Sequence, residues 1–306
     1  MIRPQSGLLP LGRDPDSGLW EFALLSTGEP PQRAADGRLT IGPESALVLV
    51  LLPGGTFWMG AQASAPEALN FDPRTQRGEG PVHRVRLSPF FLSKYEMTQG
   101  QWLRFTGTNP SRDTPESWVA SWSATNANCD LSHPVESVDW DLVQMTLTRL
   151  GLTIPSEAQW EYGARAGTTT VRWTGDEPTT LVGAANVCDA YAHAHCGENW
   201  GEHEAWLNDG FTSHAPVGTF RPNAFGLHEV LGNVWEWCLD AYMTQFYARS
   251  PALDPVCDPG DGPMRVARGG GIYNSAGLAR SAMRYDTTAG LRDGELGVRP
   301  ARVLER

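Results

Sequence analysis

Apolar and polar positions alternate in short blocks along most of the chain, which predicts many short elements. The apolar run over residues 46–52 ends at Pro53-Gly54-Gly55 and is followed by the mixed segment 56–60. This pattern predicts a buried hairpin, because glycines allow the positive φ that tight turns need. Residues 82–87 alternate with period two, as a half-buried strand does.

The first 43 residues have a different texture from the rest of the chain. They mix Pro, Gly and charged residues around a single apolar patch at residues 19–24. This predicts an N-terminal extension, residues 1–43, that lays one or two strands against a main domain spanning residues 44–306.

Capping residues predict three short helices. Ser or Thr followed three residues later by Gln is a capping box, and Asp is a good N-cap. Residues 168–306 are rich in Gly and Pro and predict loops and short strands without a helix. The predicted helices cover residues 99–106 after Thr98, the stretch from Asp139 to Gly151, and the stretch from Ser156 to Gly167.

Composition favours a loop-rich globular protein. The 306 residues include 33 Gly and 23 Pro, so many turns are expected, and 12 Trp are available to pin loops through packing and N–H donors. We therefore expect Trp160, Trp235 and Trp237 to have packing roles rather than catalytic ones.

Charge and cysteine usage exclude several classes of protein. A net charge of -11 without a cluster of Lys and Arg argues against nucleic-acid binding. No apolar run is long enough to cross a membrane, and the first residues lack the pattern of a secretory signal. Five cysteines without a CxxC pair disfavour a disulfide framework, so a cytoplasmic location is expected. The sequence gives no indication of the oligomeric state.

Seven blocks, in order over residues 44–303, resemble the formylglycine-generating-enzyme (sulfatase-modifying factor) family. They are LLPGGTFWMG (51–60), PVHRVRLSPFFLSKYEMTQGQW (81–102), HPVESVDW (133–140), LTIPSEAQWEYGARAG (152–167), PNAFGLHEVLGNVWEW (222–237), RVARGGG (265–271) and GVRPAR (297–302). The resemblance implies an α+β fold, a variant of the C-type lectin fold with few regular elements.

The resemblance also implies a copper site that this sequence lacks. Family enzymes bind copper(I) through two cysteines shortly after the RGG block, and the aligned positions here are Asn274 and Ala276. Copper(I) is a soft ion that needs thiolates. We therefore expect neither copper binding nor formylglycine production at these positions.

Structural calcium is expected from the same resemblance. Two ligand sets carry over, in which side-chain and main-chain oxygens suit a hard ion. The alternative is that these acids cap loops without a metal. The first set is Asn186, the carbonyl of Val187, Asp209 and the carbonyl of Phe211; the second is Glu229, the carbonyls of Gly232 and Val234, and Glu236.

The loop 188–204 is rich in metal-type donors. It allows two interpretations, a transition-metal site or a solvated loop clipped by a Cys188–Cys196 disulfide, and its spacing matches no standard zinc pattern. Its donors are Cys188, His193, His195, Cys196, Glu198, Glu202, His203 and Glu204.

An intact scaffold with an emptied site favours a non-catalytic recognition module that binds a protein or peptide. The segment LLPLGRDPDSGLWEF (8–22) resembles the lead-in of family members attached to signalling kinases, which implies a signalling or effector system. The segment 271–295 is rich in residues that form adaptable binding surfaces. The alternatives are a formylglycine-type oxidase or another metal-dependent oxidase with a rebuilt site. The candidate binding surface consists of Tyr273, Asn274, Ser275, Arg280, Tyr285, Asp286 and Arg292.

Overall fold

The computed structural model describes residues 3–116, 129–196 and 203–305. These residues form a mixed α+β fold with three sheets and short helices. The strands are β1 (Leu8–Arg13), β2 (Trp20–Leu24), β3 (Leu47–Leu52), β4 (Gly55–Met59), β5 (His83–Leu87), β6 (Phe90–Ser93), β7 (Trp235–Ala241), β8 (Met264–Arg268), β9 (Tyr285–Thr288), β10 (Leu296–Gly297) and β11 (Ala301–Val303). The helices are α1 (Gln99–Thr106), α2 (Trp140–Arg149), α3 (Glu157–Arg165) and α4 (Ala190–Cys196).

The largest sheet is antiparallel and has the order β1-β2-β3-β6-β11. The first residues of the chain contribute β1 and β2, and β2 pairs with β3 so that Phe22 lies opposite Leu49. Strand β3 is buried on both faces, which explains its continuous apolar run. The N-terminal segment is therefore part of the main sheet rather than a separate layer.

A second sheet, of order β10-β7-β8-β9, carries the residues discussed below, and β4 and β5 form a separate antiparallel pair. The hairpin predicted over residues 46–60 is wrong, because β3 and β4 belong to different sheets. Gly54 adopts φ +67°, and a Cβ there would lie 2.4 Å from the carbonyl oxygen of Leu87. The chain thus uses this glycine to pass from one sheet to the next.

The capping signals are confirmed. Thr98 with Gln101 and Ser156 with Gln159 form reciprocal capping boxes, and Asp139 caps α2. The prediction that no helix follows residue 168 is wrong, because α4 occupies Ala190–Cys196. Its seven residues lack a helical apolar stripe long enough to be recognised in the sequence.

Tryptophan side chains fasten loops to the core as expected. Trp237 Nε1 donates to the carbonyl of Val138 at 2.8 Å, and Trp140 Nε1 donates to the carbonyl of Cys238 at 2.9 Å. Each bond satisfies a buried main-chain acceptor from another segment, which fixes loops that have no ladder of their own.

Buried ion pairs join α3 to β8 and to the segment after it. The Arg268 guanidinium donates to Glu157 and Glu161, and Arg284 donates to both carboxylate oxygens of Glu157. All four side chains are buried. This network fixes the end of β8, which leads into the turn that contains Asn274 and Ala276. Across the described ranges, no helix is long and apolar enough to cross a membrane.

Candidate functional site

The turn after β8 is closed by the side chain of Asn274. Gly269 and Gly270 follow Arg268 with φ of 106° and 84°, which bends the chain sharply. The Asn274 Oδ1 then accepts a hydrogen bond from the N–H of Gly271 at 2.9 Å, and the Asn274 N–H donates to the carbonyl of Gly271 at 3.0 Å. Asn274 therefore has a structural role in the turn.

Ala276 lies at the buried end of the same turn. Its N–H donates to Glu204 Oε1 at 2.8 Å, and its carbonyl accepts from Arg172 Nη2 at 2.6 Å. Neither Asn274 nor Ala276 carries a sulfur, and copper(I) requires thiolates. The residues present do not fit copper(I), and we call residues 274–276 the sulfur-free turn.

Two half-exposed tyrosines flank this turn. Tyr273 and Tyr285 each expose 37% of their surface, and the Tyr285 ring lies 5.0 Å from that of Trp235. The Tyr273 N–H donates to Glu295 Oε2 at 3.3 Å. Burial raises the pKa of Glu295 to about 7. The tyrosines thus border a patch with buried aromatic support and a carboxyl group that titrates near neutrality.

Most of the other residues predicted for a binding surface are also accessible. Asp286 is exposed, Ser275 is half-buried, and the exposed Arg292 Nη2 lies 2.7 Å from Asp139 Oδ2. We use the name tyrosine surface for Tyr273, Asn274, Ser275, Tyr285, Asp286 and Arg292.

Arg280 is a correction to the predicted surface. Its side chain is fully buried, where it donates to both carboxylate oxygens of Glu79 and to Asp72. A buried Arg with two acidic partners supports the fold and is inaccessible to a partner. The sequence did not distinguish it from its exposed neighbours because the loop containing Asp72 and Glu79 is about 200 residues away.

A buried polar group that sequence reasoning missed lies beside the tyrosine surface. Ser213 Oγ donates to Asp113 Oδ2 at 2.9 Å, and burial lowers the pKa of His214 to about 4. His214 is therefore neutral at pH 7. Glu136, nearby, accepts from the N–H of Asp113 at 2.9 Å, and burial raises its pKa to about 7.

In the first predicted cation set, main-chain hydrogen bonds hold the side chains of Asn186 and Asp209. Asn186 Nδ2 donates to the carbonyl of Ser213 at 2.8 Å, which leaves Oδ1 on the other side of the amide. Asp209 Oδ1 accepts from the N–H of Phe211 at 2.8 Å, whereas its Oδ2 is buried and accepts no hydrogen bond from the described residues. An unsatisfied buried carboxylate oxygen fits a hard cation.

The second predicted cation set is hydrogen-bonded by the chain itself, and burial raises the pKa of Glu229 to about 7. Glu229 accepts from the N–H groups of Gly218 and Phe220, both at 2.9 Å. Glu236 is paired with Arg299, whose Nη2 lies 2.7 Å from Oε1, and also accepts from Trp160 Nε1 at 2.7 Å. A guanidinium against Glu236 repels a dication, so these residues fit calcium less well than the first set.

The donors of the loop 188–204 are only partly described. Glu198, Glu202 and the side chain of Cys196 lie outside the described residues, so the disulfide with Cys188 stays a prediction. The His193 and His203 rings stack at 3.9 Å, and His195 Nδ1 lies 2.8 Å from the carbonyl of Tyr191. Within 3–116, 129–196 and 203–305, no three His, Cys, Asp or Glu side chains are arranged to hold a metal.

Taken with the fold, these residues define a lectin-like scaffold with a sulfur-free turn after β8. Residues 42–304 match the family described as "Sulfatase-modifying factor enzyme 1-like domain". The chain therefore belongs to this family.

Relatives within the family differ in what surrounds the domain. The chain is 32% identical over 311 residues to a formylglycine-generating enzyme of Streptomyces coelicolor, covering 89% of this chain and 94% of that enzyme. It is 28% identical to the serine/threonine-protein kinase pkn1 of Chlamydia pneumoniae, covering 84% of this chain but 38% of the kinase.

Solved structures share the fold. PvdO from Pseudomonas aeruginosa superposes with a TM-score of 0.66 at 25% identity, over 85% of this chain and 95% of PvdO. Variable protein 1 of Treponema denticola superposes with a TM-score of 0.62 at 21% identity, over 86% of this chain and 97% of that one.

Proposed function

We propose that this protein is a non-catalytic recognition module of the sulfatase-modifying factor family and that it binds a protein or peptide through the tyrosine surface. The sulfur-free turn carries the proposal, because Asn274 and Ala276 stand where family enzymes hold copper(I). Without thiolates at these positions, the oxidation of a substrate cysteine has no metal to support it.

The tyrosine surface supports a binding role through its chemistry. Tyr supplies large, rigid contact area with a polar end, and neighbouring Asn, Ser and Asp supply adaptable hydrogen bonds. Trp235 supports Tyr285 from below, and the buried Arg284 fixes the segment just before β9. Accessible side chains on a fixed backbone favour binding because little ordering is needed.

We also propose that the first cation set binds structural calcium. Asn186 and Asp209, with the carbonyls of Val187 and Phe211, provide hard oxygen donors, and the partnerless Asp209 Oδ2 supports this. Calcium at the second set stays a prediction, disfavoured by the Arg299 contact.

A signalling or effector context is part of the proposal. It is supported by the similarity to a region of the Chlamydia pneumoniae kinase pkn1, in which a related domain occurs in a longer protein. A cytoplasmic location is proposed from the cysteine usage.

A displayed library of random peptides tests the binding role. Peptides selected on the wild-type protein are expected to lose binding to the double variant Tyr273→Ala, Tyr285→Ala and to keep binding to Trp58→Ala, which removes an exposed aromatic residue from β4. Both variants truncate half-exposed rings, so urea unfolding of all three proteins is measured first and binding is compared under conditions in which each is folded. Equal binding of all three proteins would contradict the proposed surface.

An oxidase with a rebuilt site is the second candidate. The N–H of Cys188 donates to the carbonyl of Asn274 at 2.9 Å, which places one cysteine beside the sulfur-free turn. Metal analysis of the purified protein separates the two functions. Stoichiometric copper or iron, lost in Cys188→Ser, would favour the oxidase, whereas calcium without redox metal would favour the recognition module.

A further inference from the structure

Asp189 lies beside the first cation set but is not among the ligands that the family resemblance implies. It is fully buried directly after Cys188. Its Oδ2 accepts from the N–H of Asp209 at 2.6 Å, and its Oδ1 accepts from the N–H of Ala192 at 2.8 Å. Asp189 thus contacts Asp209 and also caps the first turn of α4.

The buried carboxyl group of Asp189 and the partly buried carboxyl group of Asp209 form a pair of like charge. Asp209 Oδ1 accepts from the N–H of Phe211 at 2.8 Å, and the N–H of Asp209 donates to Asp189. Neither acid forms an ion pair with a described residue, and Asp209 Oδ2 has no hydrogen-bond donor there. Two neighbouring carboxylates repel each other unless a proton or a cation lies between them.

We propose that Asp189 is an additional calcium ligand and that calcium at this site fixes the sulfur-free turn within the tyrosine surface. The inference rests on the calcium binding put forward under the proposed function and deepens it. A second carboxylate adds charge to the ligand set, and the number of charged ligands is a main determinant of calcium affinity.

Main-chain hydrogen bonds connect this cation site to the turn. The N–H of Cys188, adjacent to Asp189, donates to the carbonyl of Asn274 at 2.9 Å. The carbonyl of Cys188 accepts from the N–H of Glu204 at 2.9 Å, and Glu204 Oε1 accepts from the N–H of Ala276 at 2.8 Å. Both ends of the turn are therefore bonded to residues that the cation would hold in place.

A second connection runs through Asn233. Its N–H donates to the carbonyl of Asn186 at 2.8 Å, and its own carbonyl accepts from the N–H of Ile272 at 3.1 Å. Asn186 is a ligand of the first set, and Ile272 immediately precedes Tyr273. Calcium held by Asn186 thus stabilises the chain on the other side of the turn as well.

Asp189→Asn removes the charge and keeps one oxygen that can cap α4, but its amide nitrogen cannot accept from the N–H of Asp209 as Oδ2 does. Calorimetric titration of the calcium-depleted full chain with CaCl2 is the first measurement. We expect affinity to fall about tenfold or more in Asp189→Asn, to be lost in Asp209→Asn, and to be unchanged in Asp36→Asn, an exposed aspartate of the N-terminal extension.

Amide hydrogen exchange of residues 271–277 is the second measurement. At one chosen calcium concentration, amide exchange of residues 271–277 is expected to slow in the wild type. The same concentration is expected to leave the exchange rate of Asp189→Asn unchanged. Matching unfolding midpoints of the two proteins in EDTA would show that the variant folds.

Each outcome identifies what fails. Asp189→Asn could bind calcium as tightly as the wild type while Asp209→Asn binds none. This result would overturn the role of Asp189 and leave the calcium site itself intact. Calcium binding without slower exchange at 271–277 would overturn the coupling to the turn. No calcium binding by the wild type would overturn the inference and the proposed calcium site together, while peptide recognition is judged separately by the tyrosine variants.

Discussion

The two predicted cation sets lie close together yet balance their buried charge in different ways. In the second set, Arg299 is a built-in cation that contacts Glu236, and main-chain N–H groups satisfy Glu229. In the first set, Asp209 lies beside Asp189, and one carboxylate oxygen of Asp209 lacks a donor among the described residues. The two sets contain similar acidic residues, but within the part of the chain that the structure describes only the second set has a positive charge supplied by the protein itself.

This difference teaches that donor residues alone do not define a metal site. What decides is whether the protein itself neutralises the donors after they are buried. The sulfur-free turn is a third case, because its positions carry no soft donor and are closed by Gly271, Glu204 and Arg172.

Replacing Arg299, the positive charge that contacts Glu236, is expected to have the largest effect on the free energy of unfolding. Arg299→Leu leaves Glu236 buried and unpaired, which should lower the free energy of unfolding by about 3–5 kcal/mol. Urea unfolding measures this change. Arg38→Ala is the control, because its pair with Asp16 is exposed and should contribute about 0–1 kcal/mol.

If Arg299→Leu does not fold, the double variant Arg299→Leu, Glu236→Gln provides the answer. Neutralising Glu236 should recover part of the lost stability. Equal stability of Arg299→Leu and the wild type would contradict the assignment of Arg299 as the cation of the second set.

Removing calcium from the first set is expected to have the next largest effect. A ligand present at 100 times its Kd stabilises the folded state by about 2.7 kcal/mol. Urea unfolding with CaCl2 and with EDTA should show a difference of this order in the wild type and in Glu229→Gln. Asp209→Asn should show none, and a calcium response lost in Glu229→Gln instead would reverse the comparison.

Asp240 is a buried carboxyl group without an ion pair to a described residue. It is expected to have a smaller effect, which depends on pH, on the free energy of unfolding. Its oxygens accept from the N–H groups of Glu157 and Cys257, both at 2.7 Å, and burial raises its pKa from 3.8 to about 7. Between these values the unfolded chain releases a proton that the folded chain keeps, so stability falls as pH rises from about 4 to 7.

Asp240→Asn should remove this contribution. The free energy of unfolding of the variant, relative to the wild type, is expected to rise between pH 4.5 and pH 7.5 in urea unfolding measurements. A constant difference across this range would show that Asp240 is ionised in the folded protein throughout.

Local sequence signals predicted much of the fold. Capping boxes at Thr98 and Ser156 identified two helices, because a cap is encoded within four residues. The hairpin over residues 46–60 was wrong because the pairing of β4 with β5 depends on residues beyond the turn. Helix α4 was missed because it is short, although Asp189 occupies a recognisable N-cap position.

The site was predictable only in part, for a related reason. Asn274 and Ala276 were found by position relative to the RGG block, and the accessible tyrosines followed from composition. Arg280 was misplaced and the contact between Asp189 and Asp209 was not foreseen, because burial and charge partners come from distant segments such as the one containing Glu79. Which acid needs a cation is decided by three-dimensional packing.

The most direct test of the account concerns the sulfur-free turn. The purified protein, supplied with copper(I) and oxygen, is incubated with a cysteine-containing sulfatase peptide, and aldehyde is measured by mass spectrometry after hydrazide labelling. We predict no aldehyde above the copper-only control and no copper(I) retained by the protein. Aldehyde formed in proportion to the protein would contradict a purely recognitional role for this scaffold.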